Sequence, residues 1–394
     1  MMKELTYVLI TPYSLTKSRT GSIIGRLLTL SELELVGARM LSPSDEFVDR
    51  YVHTIDEMDM PADLKTAYVN YINENLRPGT TRAGSNRTVL LLLEGPNAVA
   101  TLKKDAVGSA EPDPKGDTIR GAYGDIIRSA DGEIRYFEPA VLTSTDRKTN
   151  LKQLRLISAH AAKDGGVLDK VVKFPPGEKV EITLVILKPD NFGRGSARPG
   201  NIIDMFSRTG LRIIGAKMLR MSVAQGIEFY GPLLEVFEKK LRGQVADRLR
   251  EGLHDEFSFE IPEETYDQMA DMLKKLNARF EFNRIVEYMT GINPDTLEPH
   301  ADRNAPGKEK CLALLYQGMD AVSKIRERLG ATDPTKAAPA TVRSSFGQDL
   351  MKNAAHASDS VANALRERRI VGLLDDDECQ VSAIINHYLA KVRT

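Results

Sequence analysis

The chain contains the same pattern twice, and this limits its fold more than any other feature. Thr6-Tyr7-Val8-Leu9-Ile10-Thr11-Pro12 lines up with Thr183-Leu184-Val185-Ile186-Leu187-Lys188-Pro189. Gly21-Ser22-Ile23-Ile24 then matches Gly200-Asn201-Ile202-Ile203, and Val36-Gly37-Ala38-Arg39-Met40-Leu41 matches Ile214-Gly215-Ala216-Lys217-Met218-Leu219. Further on, Pro112 answers Pro334, while Thr118-Ile119-Arg120 and Gly124 answer Thr341-Val342-Arg343 and Gly347. The offset between copies is 177 to 179 residues near the start and 222 or 223 near the end, so the second copy carries about 44 extra residues. We place that insertion at about 238–310. Leu241, Val245, Leu249 and Leu253, then Met269, Met272, Leu273 and Leu276, have helical spacing there. Pro262-Glu263-Glu264 supplies a proline-marked acidic helix start, and a helical hairpin is expected. Residues 163–180, with Pro175-Pro176-Gly177, read as a linker between a domain at 1–162 and a second at 181–394.

Each copy alternates short apolar strands with helices but has too few strands for a doubly wound sheet. A small α+β sandwich, a sheet of about four strands with helices on one face, is the expected fold. With 54 basic against 55 acidic side chains, net charge gives no reason to expect a nucleic acid or an anionic membrane as partner. No purely apolar run, Val89 to Leu93 included, approaches the roughly 20 residues that cross a bilayer. The start of the chain reads as a strand, not as a signal peptide, and a cytoplasmic location is the expectation. Two cysteines, Cys311 and Cys379, exclude a disulfide framework and a cysteine-based metal site. Gly193, Gly195 and Gly200 do not complete a phosphate loop, because Asn201 stands where its lysine is needed; these glycines are expected to serve a turn.

The chemistry concentrates in the second copy. Leu187-Lys188-Pro189-Asp190, Leu329-Gly330-Ala331-Thr332-Asp333-Pro334, Thr341-Val342-Arg343 and Asn353-Ala354-Ala355-His356-Ala357-Ser358-Asp359-Ser360 follow in that order. Phosphoryl transfer needs a nucleophile, cations around the moving oxygens and in-line geometry. A histidine, largely neutral near pH 7, can serve as that nucleophile. Together these motifs resemble the signature of nucleoside diphosphate kinases, across nearly all of 183–368 apart from the insertion. The resemblance implies two ferredoxin-like domains with antiparallel four-stranded sheets. It also implies transfer of the terminal phosphate of a nucleoside triphosphate such as ATP to a nucleoside diphosphate through a phosphohistidine, with Mg2+ carried by the nucleotide phosphates and no resident metal.

Carried over residue by residue, the resemblance makes His356 the nucleophile and Glu367 the carboxylate that orients it, with Ser358 beside them. It makes Lys188, Arg326 and Arg343 the phosphate-binding cations and Thr332 a phosphate-binding hydroxyl. Asn353 holds the sugar side, Tyr230 helps fix Lys188 and His356, and Phe237 stacks on the base. Guanidiniums offer forked donors to phosphate and lysine a compact charge. Departures from the family pattern are Ala357 for a glycine, Ser344-Ser345 for Gly-Asp, Asp333 for an asparagine, and about two additional residues in the segment 195–200. His53, His160, His254, His300 and His387 are expected to be ordinary surface or core residues.

The first copy keeps Arg120 and Lys104 in the places of Arg343 and Arg326, but has Thr11 for the lysine, Tyr13 for Asp190 and Ala110 for Thr332. The nucleophile's counterpart is expected in Ile134 to Pro139, which holds no histidine. This copy reads as a catalytically silent partner that supplies one half of a dimer within a single chain, and the family likeness implies a homo-oligomer. Two competing readings stand beside the kinase: a catalytically diverged nucleotide-binding or scaffold protein, and a phosphohistidine donor to another protein. The apolar C-terminal stretch with Val381, Ile384, Ile385, Tyr388 and Leu389 could pack on its own domain or on a partner.

Overall fold

The computed structural model describes residues 3–79, 83–111, 116–193, 195–374 and 378–392. Pro112, matched above to Pro334, lies outside them. Two compact units are present, one made of residues 1–219 and 312–394 and the other of residues 220–311.

In the first unit the repeat is visible as two sheets of the same topology. The first copy contributes β1 (Glu4–Ile10), α1 (Thr20–Leu30), β2 (Glu34–Leu41), α2 (Asp45–Asp56), α3 (Ala62–Asn75), β3 (Thr88–Gly95), β4 (Val141–Leu142), α4 (Arg147–His160) and β5 (Gly165–Gly166), with the sheet order β4-β1-β3-β2-β5. The second contributes β6 (Val180–Leu187), α5 (Arg198–Ser207) and β7 (Arg212–Leu219). After the second unit come β8 (Cys311–Met319), α10 (Ala321–Leu329), β9 (Ala355–Ala357) and α11 (Val361–Val371), in the order β9-β6-β8-β7. The labels α6 to α9 belong to the second unit, described below. All ladders around β1 and β6 are antiparallel. The first sheet has five strands where four are expected, because Gly165 and Gly166 of the linker pair with Leu41 and Met40 at its edge. Helix caps recur at matching places, with Ser44 and Ser222, Thr118 and Thr341, and Asp146 and Ser360 each accepting a backbone N–H from the first turn.

The first sheet is covered on both faces, not on one. Val8, Ile10, Leu91 and Leu93 share a core with Ile23 and Leu27 of α1, and this core runs on into the second copy through Ile202, Phe206, Leu312 and Leu314. Leu5, Tyr7, Leu9 and Leu92 turn the other way, onto Phe47, Tyr51, Leu154 and Ile157 and onto Ile385 and Leu389. Those last two belong to the C-terminal helix α12 (Gln380–Val392), so the apolar stripe of that helix packs on the first copy.

The two copies meet where α1 crosses α5. A Cβ on Gly21 would lie 2.3 Å from the Gly200 carbonyl oxygen, and one on Gly200 would lie 2.2 Å from the Gly21 oxygen. Only glycine permits this approach, so Gly200 serves a helix crossing and not a turn; Gly195, at φ 65°, does sit in a turn. Ser22 secures the crossing by donating its N–H (3.0 Å) and hydroxyl to the Asp204 carboxylate.

The second unit is helical. It contains α6 (Val223–Tyr230), α7 (Leu233–Lys240), α8 (Arg242–Leu253) and the 28-residue α9 (Glu263–Thr290), which starts directly after Pro262. Val245 and Ala246 of α8 pack on Ala270 of α9, and Arg242 and Arg250 pair across to Asp271 (2.8 Å) and Glu263 (2.6 Å). The helix pair thus forms as the spacing implies, although Met272 and Leu276 point to solvent and not into this small core.

Candidate active site

The geometry around His356 starts from one unusual backbone position. Ala354 has φ 70°, which turns the chain so that its carbonyl accepts from Lys188 N (3.0 Å) and from Asn191 Nδ2 (2.6 Å). A non-glycine residue in the left-handed region needs such support. The turn delivers Ala355–Ala357 to the edge of the sheet with His356 opposite Ile186 of β6.

His356 Nε2 lies 2.9 Å from Glu367 Oε2, and the Ser358 hydroxyl donates to the same oxygen at 2.6 Å. The His356 side chain is 22% exposed and that of Glu367 only 6%, so the ring opens to solvent while the carboxylate is enclosed. A carboxylate that already accepts from Ser358 accepts a hydrogen bond from Nε2–H as well, which keeps the ring proton on Nε2 and makes Nδ1 the basic nitrogen of the neutral ring. Glu367 reaches this place because α11 is capped by Ser360, whose hydroxyl accepts from Asn363 N at 3.1 Å.

Cationic groups gather on the same turn. Lys188 is buried, and its Nζ donates to Asn353 Oδ1 (2.7 Å) and to the Met351 carbonyl (3.0 Å). Asn353 donates in turn to the carbonyls of Thr332 (3.1 Å) and Leu350 (2.9 Å). Arg343 spans the gap between two segments: Nη1 donates to the Gly330 carbonyl (3.2 Å) and weakly to Thr332 Oγ1 (3.4 Å), and Nη2 to the carbonyl of Ala355 beside the histidine (3.2 Å). Gly330, at φ 86°, ends α10, and a Cβ there would lie 2.5 Å from Thr341 Oγ1. Arg326 is exposed on the last turn of α10. Its charge reaches the start of α11, where Asp359 is held below the usual carboxylate range first by the Asn363 amide and further by Arg326.

The first unit therefore brings Lys188, Arg343, Thr332, Asn353, His356, Ser358 and Glu367 together, with Arg326 near the rim. Tyr230 and Phe237 sit in the second unit. Tyr230 is buried at the end of α6 with its ring 5.0 Å from Phe229, and Phe237 is half-buried on α7. Two positioning residues escaped the sequence reading, Asn191 and Ala354. Asn191 follows Lys188 by three residues in a loop whose fold the pattern does not reveal, and nothing in an alanine marks positive φ. Among the described residues no group of three or more His, Cys, Asp or Glu side chains could hold a metal ion. No helix among them is long and apolar enough to cross a membrane.

The family model described as nucleoside diphosphate kinase matches residues 181–252 and 235–373, all within the second copy. Nucleoside diphosphate kinase from Campylobacter hominis is 32% identical over 185 residues, 47% of this chain and 90% of that protein. The enzyme from Nitratiruptor sp. is 29% identical over 188 residues, covering 48% and 92%. Among solved structures, an NDP kinase from Pyrobaculum aerophilum is similar at 27% identity and a TM-score of 0.33, covering 48% of this chain and 94% of that one. With nine-tenths of a relative matched at this identity, and with a second, degenerate copy of the same sheet topology ahead of the matched region, this chain belongs to the nucleoside diphosphate kinase family.

Proposed function

We propose that the second copy is an active nucleoside diphosphate kinase, moving the terminal phosphate of ATP or another nucleoside triphosphate to a nucleoside diphosphate. The observation that carries this is the 2.9 Å contact of His356 Nε2 with the enclosed Glu367 carboxylate. It fixes one tautomer and aims the nitrogen lone pair at Nδ1. That lone pair attacks the γ-phosphorus, the bond to the bridging oxygen breaks with its electrons, and the nucleoside diphosphate leaves. The terminal oxygen of the second diphosphate then attacks the same phosphorus, and the N–P electron pair returns to Nδ1. Lys188, Arg326, Arg343 and Thr332 hold the phosphate oxygens as charge moves across them, and Asn353 meets the sugar side. Magnesium arrives with the nucleotide. Stacking of a base on an aromatic ring tolerates any base, so broad nucleotide tolerance is expected. The silent copy acts as a built-in dimer partner, the chain forms a homo-oligomer, and the cytoplasm, where nucleotides are plentiful, is its location.

The test is nucleotide exchange and labelling by [γ-32P]ATP, on wild type and His356→Ala. An acid-labile, alkali-resistant label on the wild type alone, with exchange lost in the variant, is the expected result. Nucleotide binding without label or exchange overturns the proposal in favour of a diverged nucleotide-binding protein.

A further inference from the structure

The seam between the two copies contains a cavity that neither copy would possess alone. Its volume is about 230 Å³, and its walls include Thr20 and Arg87 from the first copy and Ser207, Arg212 and Tyr316 from the second. Arg87 stands immediately before β3 and is only 5% exposed. Its Nε donates to Ser85 Oγ at 3.0 Å and its Nη1 to the carbonyl of Ile213 across the seam. Among the described residues no carboxylate pairs with Arg87 or with Arg212. The neighbouring charge is a second cation: burial first, and then Arg212, lower the Arg87 guanidinium to about 10. A buried guanidinium facing another guanidinium is costly unless an anion joins them.

Tyr316 belongs to the same wall. It is 1% exposed, and among the described residues its hydroxyl has no hydrogen-bond partner. Burial, with the charge of Asp204 adding, raises it well above the ordinary phenol range, so it remains a donor. Asp204 itself is engaged by the N–H and hydroxyl of Ser22. The cavity wall thus carries Arg87 and Arg212 together with Thr20, Ser207 and Tyr316, the Ser207 hydroxyl donating to the Asp204 carbonyl (2.7 Å). Forked guanidinium donors with surrounding hydroxyls match the oxygens of a tetrahedral oxyanion. Its volume falls below the range of roughly 300–1,000 Å³ in which larger organic ligands bind, which argues against a whole nucleotide.

We propose that the seam cavity is a binding site for a small phosphate anion, inorganic phosphate or the phosphate group of a small monoester, bridged by Arg87 of one copy and Arg212 of the other. The site is separate from His356 and its cations, and the proposal does not depend on the kinase reading. Binding there would tie the silent copy to the active one.

Equilibrium dialysis of the full chain with radiolabelled inorganic phosphate tests it, in an Arg343→Ala background that weakens phosphate binding beside His356. That parent is expected to retain phosphate, and adding Arg87→Gln or Arg212→Gln to weaken retention at least tenfold. Because Arg212 is exposed, its replacement does not endanger folding and keeps the test decisive if Arg87→Gln misfolds. Tyr316→Phe should weaken binding less. Displacement of the label by ribose 5-phosphate assigns a monoester, and displacement by inorganic phosphate alone assigns the free anion. Equal phosphate retention by the parent and the Arg212→Gln variant overturns the proposal, as does no retention by the parent.

Discussion

The two copies share a backbone and differ in chemistry. Register sets the equivalences: Ile10 faces Val141 as Leu187 faces Ala355, and Leu9 faces Leu142 as Ile186 faces His356. Leu142 therefore stands where the histidine stands. Ala140 at φ 59° repeats Ala354 at φ 70°, and its carbonyl accepts from Thr11 N (3.2 Å) and Ser14 Oγ (2.9 Å) as that of Ala354 accepts from Lys188 and Asn191. Ser144 bonds to Gln153 nine residues on, as Ser358 bonds to Glu367 nine residues on. Arg120 donates to the Gly108 (3.1 Å) and Val141 (3.4 Å) carbonyls, repeating the bridge that Arg343 makes. What persists in the silent copy is what holds the turn and the strand; what is gone is the nucleophile, the amine and the orienting carboxylate. The strained turn is thus a property of the fold, present with or without the histidine beside it.

Two variants bring the largest expected effect. His356→Ala should lower nucleotide exchange by at least about a thousandfold, since no other group can form the intermediate. Leu142→His added to it should restore nothing measurable, because Thr11 and Gln153 supply neither amine nor carboxylate. Recovery of exchange above a hundredth of wild type would show that the copies differ by the nucleophile alone.

Next comes Glu138, which has no catalytic counterpart. Its carboxylate is buried beside Thr11 and accepts from the Thr11 hydroxyl (3.0 Å), the Tyr71 hydroxyl (3.0 Å) and Ala140 N (3.1 Å). Burial, opposed by these three bonds, raises its pKa from 4.5 to about 7. The folded chain keeps this proton between about pH 4.5 and 7, where the unfolded chain has released it. The associated stability is therefore full below about pH 4.5 and is lost as pH rises through 7, on the order of 3 kcal/mol in all. Urea unfolding at pH 5 and pH 8 should show that loss in the wild type, and Glu138→Gln should remove most of it. An unchanged pH dependence in the variant would mean that another group titrates.

How much of this could be read from sequence follows from where each signal resides. Lys188, Arg343, Asn353 and His356 were legible because their side chains and spacing form a pattern. Both glycines of the helix crossing were visible as a match, yet their reason, backbone contact between copies, is a tertiary fact. The counterpart of the histidine was expected in Ile134 to Pro139 and is found at Leu142. Arg120 lies 21 residues before the residue it bridges to, against 12 for Arg343, because a hairpin of Asp125–Arg128 and Ile134–Glu138 lengthens the first copy. Two-residue strands such as β4 and β5 have no sequence period to detect. The destination of α12 was hidden for a related reason: an apolar stripe declares that it will be buried, not against what.

A smaller effect separates the two carboxamide and carboxylate positions. Glu367→Gln keeps the shape of the side chain and its contact with Ser358 but removes the charge that, in the proposed mechanism, stabilises the ring as it becomes positive on phosphorylation. About a thirtyfold fall in exchange, roughly 2 kcal/mol, is expected, with thermal stability changed little. Gln153→Glu, the reverse change, should leave exchange untouched and destabilise the fold, because it buries a charge beside the Tyr7 hydroxyl (2.8 Å). If Glu367→Gln turned over normally, the tautomer argument for His356 would fail.

The smallest effect isolates an arginine that both copies keep. Arg343 and Arg120 make equivalent backbone bridges, so each contributes to holding its own edge strand, and both variants to methionine should lower the melting temperature. Their kinetics should diverge. If Arg343 holds phosphate as proposed, Arg343→Met should cost about tenfold in kcat/KM for the nucleotide, whereas Arg120→Met should leave kcat/KM within twofold of wild type. Arg120 is 6% exposed and lies over the Tyr68 ring at 5.7 Å, packed against its neighbours, whereas Arg343 is only partly buried and touches the exposed Thr332. A kinetic defect in Arg120→Met equal to that of Arg343→Met, at a temperature where both remain folded, would mean that the silent copy takes part in turnover.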